Sequence, residues 1–258
     1  MFGPGSLIWR VNGEAVLLLG GGRALMLQVA HPKVAAGVAE FSNYREDPWG
    51  RLYRTLDLTL KIVFGDPQTS RAASRRLRAV HERVAGSDDR GEAYRALDPE
   101  LLLWVHATLL DTSLTIYQRY VTALTYRELD LYYDEMKALG EAYAIPREAM
   151  PADYASFRRY WGSMLDDGLR VTETTRDVAD AVLRPELPRL AWPAIELLRL
   201  VTVGTLPRAI RDDLGLDWGP GRERLLAASQ AAIRRLLPAL PALLHRFPAA
   251  RRGVLRAA

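Results

Sequence analysis

An all-α fold follows from three observations on the 258-residue chain. Apolar residues recur at three- and four-residue intervals along most of it, and alternating strand-type runs are scarce. Asp-Pro pairs stand at 47–48, 66–67 and 98–99, where an N-cap followed by proline starts a helix.

The first helical region covers residues 14–19. It breaks at Gly20, Gly21 and Gly22 and resumes over 23–30. No strand and no Lys-Ser/Thr pair accompanies these glycines, so they read as a helix break where backbones pack closely rather than as a phosphate loop. His31-Pro32 makes a turn into a helix over 34–41. Asp47-Pro48 opens a helix to Phe64, stopped by Gly65, and Asp66-Pro67 opens another over 68–85, ended by Gly86.

After the loop SDDRGE, Asp98-Pro99 starts a long apolar helix. Thr125 and Glu128 form a capping box for residues 127–143. Further helices are expected near 152–169, 172–183, 192–202 and 222–237. Connections are short and composition does not shift, so residues 1–258 read as one globular helical domain.

Charge and composition narrow the chemistry. Net charge is +4 and rests on arginine, since Lys33, Lys61 and Lys137 are the only lysines. That suits carboxylate or phosphate pairing and also follows from a GC-rich genome. No cysteine is present, which excludes disulfides, thiolate metal sites and cysteine nucleophiles. The apolar run 15–30 carries three glycines and Arg23, too interrupted to span a bilayer, so a cytoplasmic protein is expected. The basic, amphipathic segment 222–258 reads in two ways: a final packing helix with a basic tail, or weak association with a membrane surface.

Several motifs are absent. None of the four histidines completes Glu-x-x-His, HExxH stops at Ala85, and GxSxG does not occur. Asp88-Asp89-Arg90-Gly91-Glu92 resembles the magnesium-binding acidic run of all-α prenyl-diphosphate enzymes, yet its place between two helices makes it a solvated loop. Asp166-Asp167 reads as a helix end before Gly168.

Two features are left. His81 sits in RRLRAVHERVAG, four after Leu77 and three before Val84, on the apolar face. It reads either as a satisfied core histidine or as a metal ligand. His106, apolar-flanked with Thr108 and Asp111 nearby, reads as a structural hydrogen-bonder, and His31 as a turn residue. In RLYRTL, Arg51, Arg54 and Thr55 stand at i, i+3 and i+4 beside an apolar stripe.

Taken in order, LMLQVAHPKVAAGVAEFSNYREDPWGRLYRTL, VHERVAG and LLLWVHATLLDTSL resemble the family of haem-dependent oxygenases that includes rubber-cleaving latex-clearing proteins and MpaB-type enzymes. The resemblance is strongest over residues 13–120. It implies an all-α domain around one non-covalent b-type haem, dioxygen activation, and oxidative cleavage or oxygenation of a small lipophilic molecule, without nucleic acid. By this resemblance His81 is the iron ligand, and Arg51, Arg54 and Thr55 form the distal face, with Arg51 also anchoring a haem propionate.

The match departs at Arg54, where rubber-cleaving members carry a lysine able to ligate iron, which guanidinium does not do. The family's acidic base has Glu40 as its nearest counterpart. Trp104, Tyr117, Tyr120 and Trp161 read as aromatic core or as channel lining. The rival readings are a haem protein that binds or senses without turnover, and a magnesium-dependent prenyl-diphosphate enzyme.

Overall fold

The computed structural model describes residues 2–42, 48–185 and 188–251, with backbone alone at 48, 49, 51, 52 and 189. These residues form thirteen α-helices, several short 3₁₀ or π turns and one small hairpin. The first four helices are α1 (Leu7–Asn12), α2 (Gly21–Val29), α3 (Pro32–Phe41) and α4 (Pro48–Phe64). Next come α5 (Pro67–His81), the strands β1 (Ala85–Ser87) and β2 (Ala93–Arg95), α6 (Pro99–Tyr120), α7 (Tyr126–Ala142) and α8 (Tyr154–Ser163). The chain ends in α9 (Glu173–Leu183), α10 (Trp192–Thr205), α11 (Arg208–Asp213), α12 (Pro220–Leu236) and α13 (Ala242–His245).

The expected caps set the boundaries. Asp66 accepts from the Thr69 backbone N–H at 2.8 Å to start α5, and Thr125 and Glu128 close a reciprocal capping box on α7. Asp98 accounts for its groups differently. Its backbone carbonyl receives the first helical N–H groups of α6, while its carboxylate takes the Arg95 N–H and ties off β2. Asp47 lies outside the described residues.

The long apolar helix becomes the centre of the molecule. α6 buries Trp104, Ala107, Leu110, Leu114, Ile116 and Tyr117 on more than one face, because other helices pack around it. Trp104 stacks on Trp161 with ring centroids 5.3 Å apart and donates from Nε1 to the Leu27 carbonyl. Tyr117 and Tyr120 are likewise buried, so the four aromatics weighed as channel lining are core.

The triple glycine lets segments approach. Residues Ala15–Gly20 wind as a 3₁₀ turn against α6, and a Cβ on Gly20 would lie 2.5 Å from Thr112 Cγ2 and 2.8 Å from Ile116 Cγ1.

Three local expectations are revised. α5 stops at His81 rather than running to 85, and the chain turns into the β1–β2 hairpin, whose antiparallel register pairs Gly86 with Tyr94. Asp88 closes its tip by accepting from the Arg90 and Glu92 backbone N–H groups, with Gly91 at φ +80°. Asp89 forms a two-point ion pair with Arg170, so the acidic run is a surface loop, as expected. Residues 15–20 are 3₁₀ rather than α, and α1, α11 and α13 are helices of four to six residues beyond those anticipated. Among the described residues, no helix is long and apolar enough to cross a membrane.

Candidate active site

A cavity of about 300 Å³ opens where α2, α4, α6, α7, α9 and α10 converge. One wall is the inner side of α4: Thr55, Leu56, Thr59, Leu60 and Val63. Another wall is the glycine segment with Ala24 and Leu25 of α2, where Gly20 packs against Thr112 and Gly22 against Thr202 and Val182. Leu109, Thr112 and Ser113 of α6 supply the floor, and Met136, Leu139 and Tyr143 flank it. Val178, Val182, Ile195 and Leu198 complete the apolar surface, and Phe247 enters from the C-terminal segment.

No charged side chain is among these lining residues. Their polar groups are neutral and mostly committed. Tyr143 Oη reaches Thr59 Oγ1 at 3.5 Å, Gln28 Nε2 donates to Thr108, and Tyr132 donates to Asn12 Oδ1 at 2.8 Å. Burial raises the Tyr143 phenol to about 12, so it stays protonated. Such a chamber suits a lipophilic ligand oriented by a few hydroxyls and amides. Among the described lining residues there is no cation of the kind a diphosphate needs.

A buried ion network holds the floor. Arg23 donates from Nε to the Thr205 carbonyl at 2.8 Å, from Nη1 to Thr112 at 2.6 Å and from Nη2 to Asp111 at 2.7 Å. Arg158 takes the other Asp111 oxygen at 2.7 Å. Desolvation pulls the Arg23 guanidinium below its ordinary pKa, opposed by the Asp111 charge beside it. These bonds lock α2, α6, α8 and α10 together, and Thr112 carries the constraint to the cavity surface.

The anticipated site residues fall into two groups. Thr55 opens onto the cavity from α4, and Arg54 beside it is exposed. Arg51 is in the first turn of α4, but its side chain lies outside the described residues. His81 ends α5, which packs against α4 as an antiparallel hairpin turning at Gly65 and Asp66. Equal rise along both helices puts His81 level with the RLYRTL turn, at the end of the hairpin away from Gly65. His81 is not among the cavity's lining residues.

His81 nevertheless has the character of a donor. It is half-buried, desolvation lowers its pKa, and its enclosed Nδ1 has no hydrogen-bond partner. Nδ1 of His31 and of His106 is also enclosed and unpartnered. The His106 ring is engaged elsewhere, donating from Nε2 to the Met136 carbonyl at 2.9 Å. His81 makes no such bond among the described residues. A neutral imidazole with an uncommitted nitrogen is the kind of group that would hold a haem iron.

Two details differ from expectation. His106 is a structural hydrogen-bonder, but its partner is Met136 on α7 rather than Thr108 or Asp111. Leu77 on α5 and Val84 just beyond it are half-buried, while Val80 is exposed.

Glu40 ends near β1. A Cβ on Gly86 would lie 2.9 Å from Glu40 Oε2 and 3.0 Å from the Tyr94 hydroxyl. Burial first, and the Glu40 charge second, raise the Tyr94 pKa. This pair belongs to the His81 end of the molecule, since Val84 donates to the His81 carbonyl, rather than to the cavity wall. Sequence periodicity could not show the cavity itself, whose lining comes from six helices; the three glycines beside Arg23 were its only local trace.

Residues 9–235 match the family model described as the ER-bound oxygenase mpaB/B'/rubber oxygenase catalytic domain. Two uncharacterized mycobacterial proteins, one of Mycobacterium bovis and one of Mycobacterium tuberculosis, are each 27% identical over 226 residues, covering 83% of this chain and 87% of their own. No solved structure matches. The chain belongs to the mpaB and rubber oxygenase catalytic-domain family.

Proposed function

We propose that this chain is a haem-dependent oxygenase that holds a b-type haem through His81 and admits a small lipophilic substrate, of the isoprenoid or alkene kind, to the uncharged cavity. The family match supports oxygenase activity. The observation that carries the substrate class is the cavity, about 300 Å³ with no charged side chain among its described lining residues. The observation that supports the ligand is the uncommitted, neutral imidazole of His81.

When bound, the haem supplies dioxygen binding and activation. The chain's own residues perform the rest. His81 offers a nitrogen lone pair without first losing a proton at neutral pH. Arg51 supplies a permanently charged donor fork for a haem propionate, and Arg54 keeps the neighbouring turn cationic. Thr55 presents a small hydroxyl at the boundary between the α4 turn and the cavity. Leu56, Leu60 and Val63 exclude water and hold an apolar substrate against that hydroxyl.

The test is oxygen uptake by haem-loaded protein with a series of lipophilic alkenes. Sustained, substrate-dependent consumption with oxygen in the product is expected. Haem-loaded protein that consumes no oxygen with any of them favours binding or sensing without turnover.

A further inference from the structure

The C-terminal surface has an exposure that packing does not explain. From Arg234 to Leu244 every residue except Leu237 is exposed, although the segment reads RRLLPALPALL. Leu236 is 63% exposed, Leu243 64% and Leu244 65%. Leu225, Ala228, Ala232 and Leu236 continue this surface as an exposed stripe along α12, to one side of the buried Leu226. Contiguous apolar exposure of this kind marks an interaction surface.

Its charge selects the partner. Arg222, Arg224, Arg234 and Arg235 are exposed on α12, while Glu223 is the only acid between 218 and 251 and accepts from Trp218 Nε1 at 2.6 Å. Leucines flanked by arginines complement an anionic lipid surface: the apolar side chains enter the acyl boundary and the guanidiniums meet the headgroups. Pro238 and Pro241 keep the segment from continuing as one helix, so its leucines do not line up as one helical seam for a partner helix.

The surface also lies beside the cavity. A Cβ on Gly204 would lie 2.7 Å from Leu226, and Ile233 shares a cluster with Leu197 and Leu200, so α10 and α12 run antiparallel. The start of α10, with Trp192 59% exposed, therefore stands at the same end as Leu236. Ile195 and Leu198, one and two turns further along α10, line the cavity.

We propose that this C-terminal leucine and arginine surface seats the protein on an anionic lipid membrane at the α10 end of the cavity, and that lipophilic substrate is drawn from the lipid. The uptake half of the proposal rests on the oxygenase reading; the seating does not.

The experiment is co-sedimentation of the full chain with vesicles of phosphatidylcholine alone and of phosphatidylcholine mixed with phosphatidylglycerol. Wild type is expected to bind the anionic vesicles and to be released by high salt. Arg234→Gln with Arg235→Gln should weaken binding about thirtyfold, or about fivefold per arginine. Leu243→Asp with Leu244→Asp should abolish it while circular dichroism and the melting midpoint stay unchanged, because both side chains are exposed. Wild type that ignores both vesicle types overturns the seating, as does equal binding by the leucine variant. Gel filtration adds a third arm: a wild-type dimer that the leucine variant dissociates, without vesicle binding, assigns the surface to a second copy and also overturns it. Vesicle binding needs neither haem nor turnover, so protein that binds vesicles but takes up no haem refutes the oxygenase reading alone. Active protein that ignores vesicles refutes the seating alone.

Discussion

Asp111 accepts two guanidiniums at once, Arg23 on Oδ2 and Arg158 on Oδ1, each at 2.7 Å. The Arg23 side chain is only 4% exposed, whereas Arg158 is 49% exposed, so the two pairs are unequal. Asp111→Ala leaves the Arg23 charge buried without its counter-ion and should destabilise the fold by about 3–5 kcal/mol. Arg158→Ala should cost no more than about 1 kcal/mol. Urea unfolding of both variants checks the contrast.

Gly20 gives a second stability prediction. A Cβ there meets Thr112 and Ile116 of the central helix, so Gly20→Ala should destabilise by about 1–3 kcal/mol through overpacking. A Cβ on Gly162, in α8, would have nothing within 4 Å, and Gly162→Ala should be neutral or stabilise by up to about 1 kcal/mol. Thermal melts of the two variants should shift in opposite directions, or only the first should shift.

Histidine burial sets a pH dependence. Desolvation lowers the folded-state pKa of His106 to about 4, and that of His31 in the same direction. An unfolded histidine titrates near about 6.5, so between these values the unfolded state binds more protons. The stabilisation is fully present above about pH 6.5 and is lost as pH falls toward about 4, reaching roughly 3 kcal/mol for His106 alone. Urea midpoints at about pH 7 and about pH 5 should differ accordingly, and His106→Gln should flatten the difference even though it lowers stability at neutral pH.

The cavity prediction concerns Thr55. Thr55→Val keeps the shape and removes the hydroxyl at the α4 wall, so oxygen-dependent turnover should fall by about a hundredfold while haem retention is unchanged. Full turnover in this variant would reduce Thr55 to wall packing.

Much of the architecture was legible in local chemistry. Asp66-Pro67, Asp98-Pro99 and Thr125 with Glu128 mark helix starts because capping and proline geometry act within one turn. The ends were less legible. α5 stops at His81 although Val84 continues the apolar spacing, because pairing of Gly86 with Tyr94 across the hairpin offers the backbone another partner. The helix α1 is too short for periodicity to register, and it is fixed by Glu135 accepting from the Leu7 and Ile8 N–H groups, a contact distant in sequence. The cavity was invisible for the same reason, as was the Met136 partner of His106, which comes from the next helix. Thr55 and His81 were picked out by resemblance. The structure gives them separate settings, one on the cavity wall and one beyond it, linked through the α4–α5 hairpin.

The central claim is that His81 ligates a haem, and the most direct measurement is the visible absorption spectrum on haem titration of wild type, His81→Ala and His106→Ala. Wild type should develop a Soret band at one haem per chain, and acid-acetone should extract the haem because no cysteine is present to tether it. His81→Ala should lose the band or shift it to that of a weakly ligated haem. His106→Ala should keep the wild-type spectrum despite its lower stability. A wild type that stays colourless, or a His81→Ala spectrum identical to wild type while His106→Ala loses the haem, would contradict the account.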